Sequence, residues 1–311
     1  MTIIPSYLKK GDIIGILAPA GFMPFDRMQT CIHVLQEWGY RLTMGATTQS
    51  LSQNYFSGSD EERLHDLQSM LDDINIKAIL CARGGYGMSR IVDSLNLKKF
   101  KKHPKWIIGF SDITVLHAHL FAKYKIASLH APMAAAFNDN EFSNPYVQSL
   151  KAALEGQLSS YSCEPHDLNK PGTATGYLVG GNLTLFAHLI GTSSDINTKN
   201  KILFLEDIGE QLYNIDRMLI QLKRSGKLKK LAGMIVGGFT ESKDTERPFG
   251  KGVYEIIHEH IRELEIPVCF GFPVSHNKEN YALKSGVVHE LHVTQDVTTL
   301  QEVHHPGSKD N

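Results

Sequence analysis

The sequence has no apolar run of about 18 residues, the length a helix needs to cross a bilayer, so a membrane-spanning protein is not expected. The first residues, Met1 to Lys10, lack the long apolar core of a signal peptide. Cysteine is scarce. Cys31, Cys81, Cys163 and Cys269 are far apart in sequence and form no C-x-x-C pair. That argues against a disulfide framework and for free thiols in a reducing compartment, by default the cytoplasm. An excess of either charge is also missing: 32 Lys and Arg against 33 Asp and Glu leave a formal net charge of -1. Neither nucleic acid nor an anionic membrane is an expected partner. Histidine is plentiful, at 15 residues, but no H-E-x-x-H occurs. His258 and His260, two apart on an expected helix, do not face one another, and His304-His305 sits in a polar tail. No metal and no other cofactor is expected.

What is present is an ordinary globular composition, 42% hydrophobic and 21% charged over 311 residues, enough for two cores. The first half alternates strand and helix patterns. Apolar runs at 12–18, 41–44, 78–81, 107–110 and 128–132 read as strands. Between them, Met28, Ile32 and Leu35 share one helical face. Ser59-Asp60-Glu61-Glu62 opens a second helix with a capping box. This rhythm predicts an α/β fold: an N-terminal, mostly parallel sheet domain with flanking helices, residues 1–153. Residues 154–175 are rich in Gly, Ser and Pro without a sustained period and read as a linker or entry segment. A C-terminal mixed α/β domain, 176–311, is expected to hold strands at 177–183, 202–205, 231–236 and 268–270. Its helix carries Ile215, Met218, Leu219 and Leu222 and stops at Gly226. An alternating pair at 287–293 and 297–303 closes it.

The most informative stretch is Trp106-Ile107-Ile108-Gly109-Phe110-Ser111-Asp112. It reads as a buried strand, a tight turn carrying one serine, and the start of a helix. The turn lifts the hydroxyl to the carboxyl end of the strand, where α/β sheets place their ligands. Free N–H groups of the helix behind it can support negative charge. This is the logic of a nucleophile elbow, although Ile113 stands where G-x-S-x-G would have its second glycine. Ser111 is either a nucleophile or a helix N-cap. A serine nucleophile needs a base, and the base needs an orienting acceptor. Glu206 follows the apolar run Ile202–Leu205, and His276 follows Phe272-Pro273-Val274-Ser275. Each can serve a cleft; equally, Glu206 can cap the next helix and His276 can be a surface histidine. The loop Arg83-Gly84-Gly85-Tyr86-Gly87 lacks the P-loop lysine and does not match G-x-G-x-x-G, which leaves little support for nucleotide binding.

The strand Ala78–Ala82 running into Arg83-Gly84-Gly85-Tyr86-Gly87, then Gly109-Phe110-Ser111-Asp112, Val179-Gly180-Gly181-Asn182-Leu183, Phe204-Leu205-Glu206-Asp207-Ile208-Gly209-Glu210 with Ile215–Leu219 behind it, and Gly271-Phe272-Pro273-Val274-Ser275-His276 together resemble the LD-carboxypeptidases. These serine peptidases trim D-alanine from murein tetrapeptides, and the microcin C self-immunity peptidases are related to them. The likeness runs from about Leu8 to about Val293. It implies Ser111 as nucleophile, His276 as general base and Glu206 as the residue that orients the imidazole. It also implies an oxyanion hole from the backbone N–H groups of Gly85 and Asp112. Arg83, and with it Tyr86, are candidates for binding substrate, though Arg83 can equally brace its loop. A murein tetrapeptide or related small peptide as substrate, and a homodimer, follow from the same resemblance. Two departures stand out: Ser275 precedes the histidine where the family has Gly, and Leu283-Lys284-Ser285-Gly286 replaces a Leu-Pro-Leu-Gly segment. The second departure is expected to alter a pocket wall and with it specificity. Two other readings compete. One is an amidase of the microcin C self-immunity type, which calls for an aromatic platform in the C-terminal half, where no tryptophan occurs. The other is a non-catalytic two-domain binding protein, which calls for a broken triad.

Overall fold

Apolar runs too short for helices and bounded by glycine build two separate sheets. The computed structural model describes residues 2–138 and 141–303; the expected polar tail with His304 and His305 lies outside them. In chain order the first elements are β1 (Ile13–Leu17), α1 (Gln29–Glu37), β2 (Arg41–Met44), α2 (Asp60–Asp72), β3 (Ile76–Cys81), α3 (Met88–Ile91), α4 (Lys98–Lys102), β4 (Trp106–Gly109), α5 (Thr114–Tyr124), β5 (Ser128–His130) and α6 (Pro145–Leu154). There follow β6 (Ser160–Cys163), β7 (Gly172–Asn182), α7 (Leu183–His188), β8 (Lys201–Ile208), α8 (Leu212–Arg224), β9 (Gly233–Thr240), α9 (Val253–Ile261) and β10 (Val268–Phe270). The chain ends its regular structure with β11 (Leu283–Ser285), β12 (Val288–Val293) and β13 (Thr298–Glu302). No helix among the described residues is long and apolar enough to cross a membrane.

The chain forms two units. The first takes the residues up to Gln157 and recruits Leu189–Ile196 and Asn280–Ser285 from far along the chain. Its sheet has the order β11-β5-β4-β3-β1-β2. Strands β1 to β5 run parallel, and only β11 is antiparallel, against β5. Ile14, Ile16, Ile79, Ile107 and Leu129 are fully buried, as expected where a parallel sheet carries helices on both faces.

The second unit takes Leu158–His188, Asn197–Glu279 and the residues from Gly286 onward. Its sheet has the order β10-β9-β8-β7-β12-β13-β6, parallel from β7 to β10 and antiparallel beyond. The two edges of this sheet approach each other. Lys170 makes an antiparallel bridge to Val268, and the Sγ atoms of Cys163 and Cys269 are 3.7 Å apart as free thiols. The stretch expected as a linker, 154–175, therefore holds a strand of its own, β6, and the first residues of β7. Its polar composition fits β6, an edge strand with alternate side chains exposed.

Candidate active site

In the first unit the serine sits on a strained turn. Ser111 has φ +61°, a left-handed conformation that a residue with a Cβ seldom adopts. Gly109, two residues before it, has φ +155°, and a Cβ there would lie 2.9 Å from Ile113 Cγ1. This explains the missing second glycine of the elbow pattern: the bulk of Ile113 fills the space that Gly109 leaves open. The serine does not cap the helix. Ile113 is the N-cap of α5, and Ser111 instead opens a short 3-10 turn. The turn is anchored from behind by His117, whose Nε2 lies 2.8 Å from the Gly109 carbonyl oxygen. Burial lowers the His117 pKa to about 4, so the ring is neutral and its Nε2–H donates.

The glycine loop lies directly against this turn. It is Gly84 that makes the close approach: a Cβ there would stand 3.0 Å from Ser111 Cβ and 3.2 Å from the Asp112 amide nitrogen. Gly85 follows with φ +92°. A Cβ on Gly85 would stand 3.0 Å from the Tyr55 hydroxyl and 3.5 Å from Gly21 Cα. The Asp112 side chain, which no sequence signal marked, is buried and accepts the Met88 N–H at 2.8 Å. Burial lifts its pKa to about 6 despite the pull of the neighbouring backbone N–H groups and of the nearby Arg63 charge. Arg83 is exposed and donates Nη1 to the Phe22 carbonyl at 2.6 Å, a bracing contact. Tyr86 is 46% exposed, with its ring 5.9 Å from that of Phe56.

In the second unit Glu206 and His276 meet. Glu206 is fully buried, and its Oε2 accepts from His276 Nδ1 at 2.6 Å. Neither alternative role survives: α8 begins at Leu212 with Gln211 as its cap, and the His276 side chain is only 11% exposed. The strand does not end at Leu205 as the sequence suggests. It runs to Ile208, with a register shift between Leu205 and Asp207 that sets both carboxylates on the strand. Asp207 is held by Asn182 Nδ2 at 2.6 Å, by the Thr184 N–H and hydroxyl at 2.9 and 2.8 Å, and by the Ile208 N–H at 2.8 Å. Asn182 and Asp207 thus explain two of the quoted motifs as one buried network. Burial pushes the Glu206 carboxyl up, against the pull of His276. Burial alone would lower the imidazole, but the Glu206 hydrogen bond and charge, helped by Asp207 and Glu241, raise it overall.

The histidine is not at a strand end. Strand β10 stops at Phe270, and His276 lies in the loop after it, which is held to β9 where Gly238 N–H donates to the Val274 carbonyl at 2.9 Å. The first departure from the family pattern, Ser275, braces this loop by donating to the Glu279 carbonyl and accepting the Asn277 N–H. The second, Leu283–Ser285, is the edge strand β11 of the first unit. There Lys284 is fully buried and donates to the Gln157 carbonyl at 2.9 Å. The segment is sheet structure, paired antiparallel with β5. Among the described residues no three His, Cys, Asp or Glu side chains gather where they could hold a metal ion.

The LD-carboxypeptidase N-terminal domain model matches residues 14–131, and the LD-carboxypeptidase C-terminal domain model matches residues 175–291. A probable murein peptide carboxypeptidase of Bacillus subtilis (strain 168) is 33% identical over 300 residues, covering 96% of this chain and 94% of its own. The crystal structure of muramoyltetrapeptide carboxypeptidase from Oxalobacter formigenes is similar with a TM-score of 0.85 at 30% identity, over 94% of this chain and 99% of that one. The microcin C7 self immunity protein MccF, solved in complex with aspartyl sulfamoyl adenosine, has the same fold, with a TM-score of 0.86 at 21% identity over 97% of this chain and 99% of its own. With both domain models matched in order, and a carboxypeptidase relative aligned over nearly its whole length, the chain belongs to the LD-carboxypeptidase family.

Proposed function

We propose that this protein is a serine carboxypeptidase that hydrolyses the L,D-peptide bond of murein tetrapeptides and releases the C-terminal D-Ala. The observation that carries the reading is Ser111 held at φ +61° with a glycine loop packed against it. A backbone conformation this costly, of the order of 1–3 kcal/mol, persists where the surroundings enforce it and clusters at reactive residues. The Glu206–His276 pair supplies the matching half of the chemistry. Glu206 fixes Nδ1 as the protonated nitrogen, which leaves Nε2 as the basic one.

In this reading Ser111 Oγ attacks the scissile carbonyl carbon, and its proton passes to His276 Nε2. Glu206 stabilises the imidazolium that forms. The oxyanion is met by the N–H groups of Gly85 and Asp112; one such donor is worth about 3–4 kcal/mol of barrier. The tetrahedral species collapses, the C–N bond breaks, and His276 returns the proton to the departing amine of D-Ala. Water then attacks the acyl-enzyme by the same route and frees Ser111. The substrate's terminal carboxylate calls for a cation, and Arg83 is the candidate within the glycine loop. Cytoplasmic murein recycling by a homodimer belongs to the same proposal.

The test is to incubate the protein with L-Ala-D-Glu-meso-diaminopimelate-D-Ala and measure released D-Ala. Release is expected from the wild type and a loss of several orders of magnitude in kcat from Ser111→Ala. Near-normal release by Ser111→Ala would overturn the mechanism. An aminoacyl sulfamoyl nucleoside assayed alongside separates the microcin-type reading. Both tryptophans, Trp38 and Trp106, are buried in the first unit, so neither offers a platform for a nucleobase.

A further inference from the structure

Arg63 is a fully buried arginine on α2, outside every motif that marks the family resemblance. A guanidinium shut away from water is tolerated only where its charge and N–H groups are met. One of its Nη atoms is bonded to Asp60, which also receives Arg90 Nε at 2.9 Å and Nη2 at 2.7 Å. The other, Nη1, donates to the Pro19 carbonyl at 2.7 Å and to the Gly87 carbonyl at 3.3 Å. Pro19 follows β1, and Gly87 ends the 83–87 loop. One side chain thus ties the last residue of the glycine loop to the segment that follows β1, the strand between β3 and the edge strand β2. Gly87 has φ +153°, and a Cβ there would stand 2.7 Å from Arg63 Nη1 and 3.0 Å from Ala20 Cα, so the close approach needs glycine.

The same end of the loop is held from the other side. The Asp112 carboxylate takes the N–H of Met88, the residue after Gly87, at 2.8 Å, while its own backbone continues from Ser111. The far end of the loop is pinned by the Gly21 N–H on the Gly84 carbonyl at 2.9 Å. Between the two pinned ends lie Gly85 and Tyr86. We propose that Arg63 and the Asp112 carboxylate are positioning residues for the oxyanion site: together they fix the end of the 83–87 loop relative to Ser111 and so set where the Gly85 amide points. This rests on the reading of Ser111 as nucleophile. Neither side chain is asked to touch substrate; both act through backbone atoms of the loop.

The geometry of the clamp dictates which variants test it. Arg63→Lys keeps the charge but cannot span Asp60, Pro19 and Gly87 at once. Asp112→Asn keeps the shape but replaces one acceptor oxygen by an NH2 group. A displacement of about 1 Å at a catalytic donor is enough for about a 100-fold loss. Both variants are therefore expected to lower kcat for the tetrapeptide by about 100-fold while KM stays within about threefold. Inactivation by a fluorophosphonate, whose phosphoryl oxygen occupies the oxyanion position, is expected to slow in parallel with kcat. Circular dichroism and thermal unfolding establish that each variant is folded at the assay temperature. If Arg63→Lys does not fold, Asp112→Asn carries the test from the opposite side of the same loop end. A folded variant with wild-type kcat, or a loss confined to KM, overturns the positioning role. Activity retained by Ser111→Ala would instead overturn the underlying mechanism, so the two failures are distinguishable.

Discussion

Two buried titratable groups beside Ser111 are shifted in opposite directions. Asp112 is raised to about 6 by burial, and His117 is lowered to about 4 by burial. A raised carboxyl contributes stability that is present below its unfolded value, about 3.9, and is lost as pH rises through 6. A depressed histidine contributes stability that is present above its unfolded value, about 6.5, and is lost as pH falls through 4. Between pH 4 and 6 the folded state holds both groups neutral and the unfolded state holds both charged. The number of bound protons is then the same in each, and the two slopes cancel. Asp112→Asn removes one side of this balance. Relative to wild type, its stability is expected to fall by about 3 kcal/mol as pH drops from 6.5 to 4. Urea unfolding of both proteins at several pH values measures the difference, and parallel profiles would contradict it. None of this was legible in the sequence: Asp112 was marked for its amide, and His117 was one of many histidines. The fully buried Glu206 was legible, because a carboxylate beside a run of four apolar residues is conspicuous whatever its role.

At the scale of the element, α2 shows how a local signal reaches the site. Its capping box was visible in the sequence and is formed: Ser59 Oγ accepts the Glu62 N–H, and Glu62 Oε2 accepts the Ser59 N–H. Fixing that first turn fixes Asp60 and Arg63, one turn apart on the same helix. Ser59→Ala is expected to cost about 1 kcal/mol of stability, read from the urea midpoint. No measurable change would mean that tertiary contacts alone hold the turn. Strand β8 shows the reverse case. Its charged end, Glu206-Asp207, reads as the end of a strand because ionised side chains avoid the interior. In the fold both are buried, each with its own partners, and the strand continues to Ile208. The partners, Asn182 of Asp207 and His276 of Glu206, lie 25 and 70 positions away, beyond any local pattern.

On the scale of the whole molecule, the chain is less sequential than its composition suggests. The first unit is completed by residues 189–196 and 280–285. Ser194 meets the buried His119 at 2.9 Å, the Ala282 N–H donates to Ser149 Oγ at 2.8 Å, and β11 covers the edge of β5. A fragment of residues 1–157 would leave that edge unpaired and its apolar neighbours open to water. It is expected to lack a cooperative unfolding transition; a sharp transition with native-like circular dichroism would show that the later segments are dispensable.

By itself the sequence determined the α/β class, most strand positions, the elbow at Ser111 and the order of the motifs. These rest on short-range physics: apolar runs, helical spacing, and glycine where the backbone must turn. Only the tertiary structure decided which glycine approaches the serine, that Arg63 and the Asp112 carboxylate clamp the loop, that the histidine stands on a loop, and that Leu283–Ser285 completes the first sheet. Each of these depends on what a side chain or strand edge meets after the chain has folded back. A sequence records the group that is to be buried; it does not record the distant group that will satisfy it.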